Sequence, residues 1–315
     1  MTALIPVTVV TGFLGAGKTT LLNQWLSEYV RGDVSVIVNE FGAIGIDGEL
    51  LADRARTVVE LTGGCVCCVT HAELIATLDD LTSRVPAPKR IFIETSGAAS
   101  PAGVLRAIAN GPATERLALD GIVTAVDAGR VATLTESDLA TEQVAYADLL
   151  VITRGDRFSE REMTEARALL AHRNGTAVIA TAARGAITSG SSLDALLALR
   201  TTDFSAEKQP ASAAHEHGIE SISLTLDGEV DEERFGDWVE AQVAPVAGRV
   251  LRLKGILAVA GLDERMILQG VADQVDVTFG RPWGEARRSC RVVVVGFGLD
   301  RAGLRASFEA CIASQ

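Results

Sequence analysis

Residues 7 to 20 decide the fold of this chain: Val7-Thr8-Val9-Val10-Thr11-Gly12-Phe13-Leu14-Gly15-Ala16-Gly17-Lys18-Thr19-Thr20. A β-branched apolar run enters a glycine-rich turn, and apolar residues follow the turn at helical spacing. The spacing from Gly12 to Thr19 matches the Gly-x-x-x-x-Gly-Lys-Thr pattern of a phosphate-binding loop, in which backbone N–H groups surround phosphate oxygens. The helix N-terminus adds a positive dipole at the same point. The stretch therefore predicts strand, phosphate loop and helix, and the binding of a nucleoside triphosphate.

Two side chains of this loop have specific expected roles. Lys18 is expected to reach the β- and γ-phosphates, and the Thr19 hydroxyl is expected to bind Mg²⁺. The alternative is an ordinary glycine turn, but a strand pattern before the loop and a helix pattern after it favour the phosphate loop. The predicted nucleotide contacts in this loop are Gly12, Gly15, Ala16, Gly17, Lys18, Thr19 and Thr20.

Length and charge limit the class of protein. The chain has 315 residues, of which 48% are hydrophobic, so it can build one large domain and a smaller one. Its formal charge of −12 disfavours nucleic acids and anionic membranes as partners, because both repel a negative surface. No apolar run approaches the ~20 residues that span a bilayer, and the N-terminus lacks a basic targeting region. We therefore expect a cytoplasmic protein with neither membrane nor nucleic acid as a partner.

The first two thirds of the chain alternate continuous apolar strand patterns with helical patterns. This alternation is typical of a parallel sheet that is covered on both faces. The remainder contains half-buried strand patterns, including one over Arg265–Phe279, and few helices. The expected fold class is α/β, a doubly wound, mostly parallel P-loop NTPase sheet with a smaller C-terminal α+β domain. The expected boundaries are 1–203 for the nucleotide domain, 204–218 for a linker and 219–315 for the second domain.

Acidic residues follow two of the predicted strands. Glu94 ends the strand Arg90–Glu94, where a carboxylate helps to hold Mg²⁺, and Gly97 is placed to approach the γ-phosphate through its backbone. The segment 39–48 contains three glycines and two acids, which is typical of a loop that senses the γ-phosphate. Its acids, Glu40 and Asp47, are candidates for positioning the attacking water, together with Lys18 and Glu94 as catalytic residues. An ordinary solvated loop is the alternative for this segment.

A third motif indicates which base is bound. Thr153-Arg154-Gly155-Asp156 follows an apolar strand, where GTPases carry a Thr/Asn-Lys-x-Asp sequence. The Asp156 carboxylate can accept from the ring N–H and the amine of guanine, and adenine lacks that pair of donors. Arg154 stands where lysine is usual, and the two residues are not interchangeable. A plain turn is the alternative, and the motifs upstream favour guanine, hence GTP and GDP.

Three of the five cysteines lie within four positions, at Cys65, Cys67 and Cys68. Their odd number and crowding do not suit a disulfide framework. Thiolates are soft ligands for Zn²⁺, with Co²⁺ as an alternative, and three of them leave a fourth position for water, Glu40, His71 or a client residue. The alternative is buried structural cysteine. The weaker candidate is His215-Glu216-His217, which is more typical of a solvated linker.

Together these residues resemble the CobW-like family of P-loop GTPases, a metallochaperone-like group. The resemblance rests on the phosphate loop, Asn39-Glu40-Phe41-Gly42, the Cys-x-Cys-Cys run and Glu94-Thr95-Ser96-Gly97, and it extends to Arg252-Leu253-Lys254-Gly255 near the end of the chain. It implies a GTPase that carries a late transition metal, zinc first, with cobalt or iron as alternatives, and releases it to a client protein on hydrolysis.

Two other functions share these features. A small-molecule kinase would use the same phosphate loop, and a non-catalytic metal sensor would use nucleotide as a structural ligand. The guanine motif and the cysteine run argue against the kinase, and metal-dependent turnover would exclude the sensor. A homodimer is a further expectation, although no motif in the sequence specifies it.

Overall fold

The structure is a computed structural model that describes residues 4–30, 32–38, 55, 57–61, 69–199, 219–243, 250–271 and 274–313. Contacts between residues divide the chain into two compact units, Met1–Asp203 and Phe204–Gln315. Each unit has its own sheet and its own buried core. No helix among the described residues has both the length and the apolar character needed to cross a membrane.

The first unit alternates strands and helices along the chain. Its strands are β1 (Ile5–Thr11), β2 (Val34–Val38), β3 (Thr57–Glu60), β4 (Arg90–Glu94), β5 (Leu117–Asp127), β6 (Leu149–Thr153), β7 (Val178–Ala183) and β8 (Ala186–Ile187). Its α-helices are α1 (Lys18–Leu26), α2 (Val69–Ser83), α3 (Ala102–Asn110), α4 (Asp138–Tyr146), α5 (Glu160–Arg173) and α6 (Leu193–Leu199). Short 3₁₀ helices include Ala128–Glu136 and Gly155–Arg157.

The strands form one sheet in the order β3-β2-β4-β1-β5-β6-β7-β8. All neighbouring pairs are parallel except β7 with β8. This arrangement confirms the predicted mostly parallel sheet. It also places the carboxyl ends of β3, β2, β4, β1, β5, β6 and β7 along one edge, where open α/β sheets bind ligands.

Strand β6 shows why its sequence is continuously apolar. Leu149 and Val151 belong to a core cluster that includes α1 and α6, whereas Leu150 and Ile152 belong to one that includes α4 and α5. Successive side chains of a strand point to opposite faces, so a strand covered on both faces needs apolar residues at every position.

The second unit is an antiparallel sheet with two α-helices. Its strands are β9 (Ile219–Asp227), β10 (Val250–Leu257), β11 (Glu264–Val271), β12 (Gln274–Pro282) and β13 (Ser289–Phe297), in the order β12-β11-β10-β13-β9. The helices α7 (Glu232–Trp238) and α8 (Arg301–Glu309) supply Phe235, Trp238 and Phe308 to the core. The ring centroids of Trp238 and Phe308 are 5.4 Å apart.

One strand prediction was wrong in this unit. The pattern over Arg265–Phe279, expected as one strand, forms the two antiparallel strands β11 and β12. Val271 pairs with Gln274, so only two residues connect the strands. Because hydrophobic alternation continues on both sides of so short a connection, periodicity alone does not reveal the reversal.

Candidate active site at the phosphate loop

The phosphate loop connects β1 to α1 through glycines with positive φ. Gly12 has φ 136°, Gly15 has φ 75° and Gly17, directly before α1, has φ 89°. A Cβ at Gly12 would lie 2.3 Å from the Ala125 carbonyl oxygen of β5. Both the backbone conformation and this close approach therefore require glycine at position 12.

Lys18 is the first residue of α1 and is buried, with 8% of its surface exposed. Its Nζ donates to the Gly12 carbonyl oxygen at 3.1 Å. The ammonium group is thus held against the start of the loop, and the fold keeps a positive charge where the sequence predicts phosphate. A glycine-rich loop with a buried lysine at its base fits a triphosphate.

Thr19 and Glu94 meet although 75 positions separate them in the sequence. The Thr19 hydroxyl donates to Glu94 Oε1 at 2.8 Å, and Glu94 is buried, with 5% exposed. They meet because β1 and β4 are parallel neighbours in which Val10 pairs with Glu94. A hydroxyl and a carboxylate form an oxygen donor set of the kind that Mg²⁺ prefers, so these residues fit the predicted ion.

The segment after β4 packs directly on the phosphate loop. A Cβ at Gly97 would lie 2.6 Å from the Leu14 backbone nitrogen. Thr95, which is buried, donates from its backbone N–H to the Val10 carbonyl at 2.9 Å and from its hydroxyl to Thr11 Oγ1 at 2.8 Å. The predicted γ-phosphate contact Gly97 therefore lies against the loop, with no room for a side chain.

The predicted base-binding motif is attached to the same loop. Thr153 donates from its hydroxyl to the Ala16 carbonyl at 2.8 Å, and Arg154 Nη2 donates to the Gly15 carbonyl at 2.9 Å. Arg154 adopts φ 57°, a left-handed conformation that is uncommon outside glycine. Asp156 lies in the 3₁₀ turn Gly155–Arg157 and is exposed, so its carboxylate is accessible to a base.

Arg154 has a second partner that the sequence analysis missed. Its Nη1 forms an ion pair with Asp127, the last residue of β5. The pairing follows from the sheet, because β5 and β6 are parallel neighbours and Asp127 aligns with Thr153. The available signal was an acid at the end of an apolar strand, the same signal that pointed to Glu94.

The turn after β7 also packs against the residues of the phosphate loop, and the sequence motifs did not predict this contact. Arg184 has φ 51° and Gly185 has φ 88°, and a Cβ at Gly185 would lie 2.7 Å from the Thr20 carbonyl. A Cβ at Gly155 would lie 2.4 Å from Thr181 Cγ2, so β7 also packs on the base motif. The glycine after the strand was a visible signal, but its partners become known only in the fold.

Several predicted site residues lie outside the residues that the structure describes. These are Glu40, Asp47, Cys65, Cys67, Cys68 and the His215-Glu216-His217 run. Within the described ranges, no group of three or more His, Cys, Asp and Glu side chains could hold a metal. Described residues flank two of the predicted segments: Val38 pairs with Glu94, and the Leu61 N–H donates to the Val38 carbonyl at 2.9 Å.

Comparison with known families matches both units. The profile described as CobW/HypB/UreG, nucleotide-binding domain, matches residues 6–180, and that of the cobalamin synthesis protein cobW C-terminal domain matches residues 219–312. The first match covers more than half of the chain.

Individual relatives match along almost the whole length. The zinc chaperone YjiA of Escherichia coli (strain K12) is 33% identical over 318 residues, covering 96% of this chain and 98% of the relative. The zinc chaperone CobW of Pseudomonas aeruginosa is 32% identical over 356 residues, covering 99% and 92%. A crystal structure of the Zn(II)-bound YjiA GTPase, a triple mutant with one glutamate and two cysteines changed to alanine, aligns with a TM-score of 0.70 at 27% identity, covering 99% of this chain and 100% of that one.

Proposed function

The chain belongs to the CobW/HypB/UreG family and is a P-loop GTPase, and from that premise we propose that it uses GTP to control the loading and release of zinc. Relatives over nearly its full length are named zinc chaperones, which supports a GTP-dependent metallochaperone that serves a metal-requiring client protein. We further propose that Cys65, Cys67 and Cys68 hold the zinc ion, because thiolates are its preferred soft ligands.

The observation that carries this proposal is the strand order β3-β2-β4-β1. β3 leads towards the cysteine run, β2 towards the segment 39–48, β4 ends at Glu94 and β1 ends at the phosphate loop. Neighbouring strands are ~4.8 Å apart, so the four carboxyl ends lie within roughly 15 Å of one another. A change at the γ-phosphate can therefore act on the segments that follow β2 and β3 over a short distance.

The residues at the phosphate loop support GTP hydrolysis in the following way. Lys18 neutralises charge on the β- and γ-phosphates. Thr19 and Glu94 would hold Mg²⁺, which would supply positive charge to offset the negative charge on the phosphoryl oxygens. Asp156 selects guanine, and Arg154 holds the base motif against the phosphate loop. Glu40 or Asp47 positions the attacking water. The relatives over nearly the full length are named chaperones rather than kinases, which favours hydrolysis over transfer to a second substrate.

In this proposal, GTP orders the segment 39–48 and the cysteine run, and the zinc ion is held tightly. Hydrolysis relaxes both segments and lowers the affinity for zinc, which the client then takes. Linkage requires a reciprocal effect, so zinc must tighten the binding of GTP by the same factor.

Zinc titration in two nucleotide states tests the proposal. We expect zinc to bind at least tenfold more tightly with a non-hydrolysable GTP analogue than with GDP, as measured by competition with a fluorescent zinc chelator. Cys67→Ala should abolish this difference. The matched control is Cys311→Ala, which removes a buried thiol of the second unit and should leave the difference unchanged.

The zinc titration must distinguish tight from weak zinc sites, because a YjiA mutant with two cysteines changed to alanine is still Zn(II)-bound. Equal zinc affinity in the two nucleotide states would refute nucleotide-controlled release. An unchanged difference in Cys67→Ala would instead refute the cysteine run as the zinc site.

A further inference from the structure

The segment 95–100, which follows β4, is attached both to the phosphate loop and to helix α4. Gly97 packs so closely on the loop that a Cβ there would lie 2.6 Å from the Leu14 backbone nitrogen. Two positions further along, the Ala99 carbonyl accepts a hydrogen bond of 3.1 Å from Gln143 Nε2 of α4. The residue predicted to contact the γ-phosphate therefore lies two positions from a side-chain contact with α4.

A second hydrogen bond attaches the same segment to α4. The Ser100 hydroxyl donates to Glu142 Oε1 at 2.7 Å, and Ser100 Oγ accepts from the Ala102 N–H at 3.1 Å, where α3 begins. Because Glu142 and Gln143 are consecutive, one turn of α4 contacts two consecutive residues of the segment. These contacts fix its backbone between Gly97 and the start of α3.

Gln143 is itself anchored to the sheet. The residue is 1% exposed, and its backbone carbonyl accepts from the Thr124 hydroxyl of β5 at 2.8 Å. Thr124 pairs with Thr11, the last residue of β1 before the phosphate loop. The position of the Gln143 amide is thus set by the neighbouring strands β1 and β5, the first of which leads into the loop.

Fold stability alone does not account for an amide at position 143. The bond to Ala99 fixes the amide orientation, because Oε1 could not pair with a carbonyl oxygen. Oε1 is buried and accepts no hydrogen bond from any residue in the described part of the chain. A buried acceptor without a donor destabilises a fold, and an apolar side chain of similar length would avoid that penalty. The donor bond to Ala99 is therefore the contact that favours glutamine here.

The Gly97 backbone has a donor available for a nucleotide. Its N–H donates to no residue among those that the structure describes. The two N–H groups that follow are used within the segment, since Ala98 donates to Ser96 Oγ at 3.3 Å and Ala99 donates to the Ser96 carbonyl at 3.1 Å. The Gly97 N–H can therefore bind a γ-phosphate oxygen without breaking a contact described in the fold.

We propose that Gln143, supported by Glu142, is a positioning residue for GTP: by holding the Ala99 carbonyl, it keeps the Gly97 N–H where that group can donate to the γ-phosphate. The inference rests on the proposed function in one respect, the γ-phosphate contact of Gly97. GDP lacks this phosphate, so the Gln143 bond strengthens the binding of GTP and not that of GDP. Gln143 thus sets part of the preference for GTP over GDP by acting through the segment 95–100.

Gln143→Met tests this role, because it keeps the length of the side chain and removes the donor. We expect the affinity for a non-hydrolysable GTP analogue to fall about fivefold, the contribution of one neutral hydrogen bond, and the GDP affinity to change less than twofold. Both affinities are measured by competition with a fluorescent GDP analogue, with Mg²⁺ present and zinc absent. Equal losses for the two nucleotides, or no loss for either, would overturn the proposal.

A second readout separates positioning from a purely structural role. In Gln143→Met the loss of one donor is offset by the removal of one unsatisfied acceptor, so we expect the urea midpoint to change little. A purely structural role predicts a lower midpoint together with equal losses of affinity for both nucleotides, and that combination would contradict the proposal.

Thr141→Val is the matched control on the same helix. Thr141 is 4% exposed, and its hydroxyl donates to the Leu134 and Ser137 carbonyls at 3.2 and 3.1 Å, away from the segment 95–100. This variant should keep the original ratio of the two nucleotide affinities. A ratio changed as much as in Gln143→Met would show that any substitution on α4 perturbs the site, and the assignment to Gln143 would fall.

Ser100→Ala removes the other contact with α4. We expect the affinity for the GTP analogue to fall about twofold and the GDP affinity to stay unchanged, because the hydrogen bond to Glu142 supports the same segment. Should Gln143→Met fail to fold, this variant decides the question, and the original ratio of affinities in it would then refute the positioning role.

Failure of this inference and failure of the proposed function are distinguishable. If the original chain does not bind the GTP analogue, both fall. If the original chain binds the analogue and Gln143→Met binds it equally well, only the positioning role falls. Because zinc is absent from these measurements, failure of the zinc cycle would leave them unaffected.

Discussion

At the residue scale, the Thr19 hydroxyl links the phosphate loop to the end of β4 through its 2.8 Å hydrogen bond to Glu94. The pairing of β1 with β4 brings the two residues together. Glu94 is buried, and Thr19 lies in the first turn of α1. This geometry makes the hydroxyl, rather than the size of the side chain, the feature on which Mg²⁺ binding should depend.

Replacement of this hydroxyl therefore tests the predicted Mg²⁺ role. In Thr19→Val the shape is retained and the oxygen ligand is lost. We expect kcat for GTP hydrolysis to fall roughly tenfold to a hundredfold, or about 1.4 to 2.7 kcal/mol in activation free energy, and the Mg²⁺ concentration for half-maximal activity to rise. Thr19→Ser, which keeps the hydroxyl, is the control and should remain close to the original rate. A similar loss in both variants would point to packing as the cause.

At the element scale, the carboxyl ends of β5 and β6 are joined to the phosphate loop by one side chain. Arg154 at the end of β6 contacts Asp127 at the end of β5 and the Gly15 carbonyl. The guanidinium can serve both partners because its donors point in fixed, divergent directions. A lysine would offer one ammonium group to the same two partners, so the arginine in this motif has a structural role of its own.

Removal of this link should affect nucleotide binding more than stability. The Arg154 side chain is 44% exposed, and exposed ion pairs contribute only about 0–1 kcal/mol to folding. For Arg154→Met we expect GDP affinity to fall about three- to tenfold, as measured with a fluorescent GDP analogue, while the urea midpoint changes little. The GDP affinity of Arg154→Lys should lie between those of the original chain and Arg154→Met. A large drop in the urea midpoint would show instead that Arg154 mainly stabilises the fold.

At the scale of the whole molecule, the two units differ in whether their reactive side chains are accessible or buried. The first unit places charged groups at the carboxyl edge of a parallel sheet, whereas the thiols of the second unit are buried among apolar residues. Burial raises the pKa of the Cys290 thiol from 9.0 to about 11. This thiol is therefore neutral in the folded protein at physiological pH and is a poor metal ligand there.

The raised pKa predicts how stability depends on pH. Above pH 9 the unfolded chain releases the Cys290 proton while the folded chain keeps it, so stability is lost as pH rises from about 9 towards 11. Between pH 8 and pH 10 we expect the original chain to lose about 1 kcal/mol more unfolding free energy than Cys290→Ala. Urea unfolding of both chains at the two pH values measures this difference. Parallel pH profiles would show that the thiol titrates normally.

Features carried by contiguous residues were the ones that the sequence could predict. The phosphate loop is a run of eight residues, and the parallel sheet is visible because each buried strand is apolar at every position. On these local signals the family resemblance and the fold class were correct. The roles of Thr19, Glu94, Gly97 and Asp156 remain predictions, although the fold brings Thr19 to Glu94 and Gly97 to the loop.

By itself, the sequence determined which residue types are present for phosphate, guanine and metal chemistry, because each motif is short and its spacing is local. Only the tertiary structure decided the strand order, the Asp127 partner of Arg154 and the division of 265–279 into two strands. The physical reason is that these features depend on contacts between residues far apart in the chain, and such contacts are set by the packing of the whole sheet. Local periodicity does not record them.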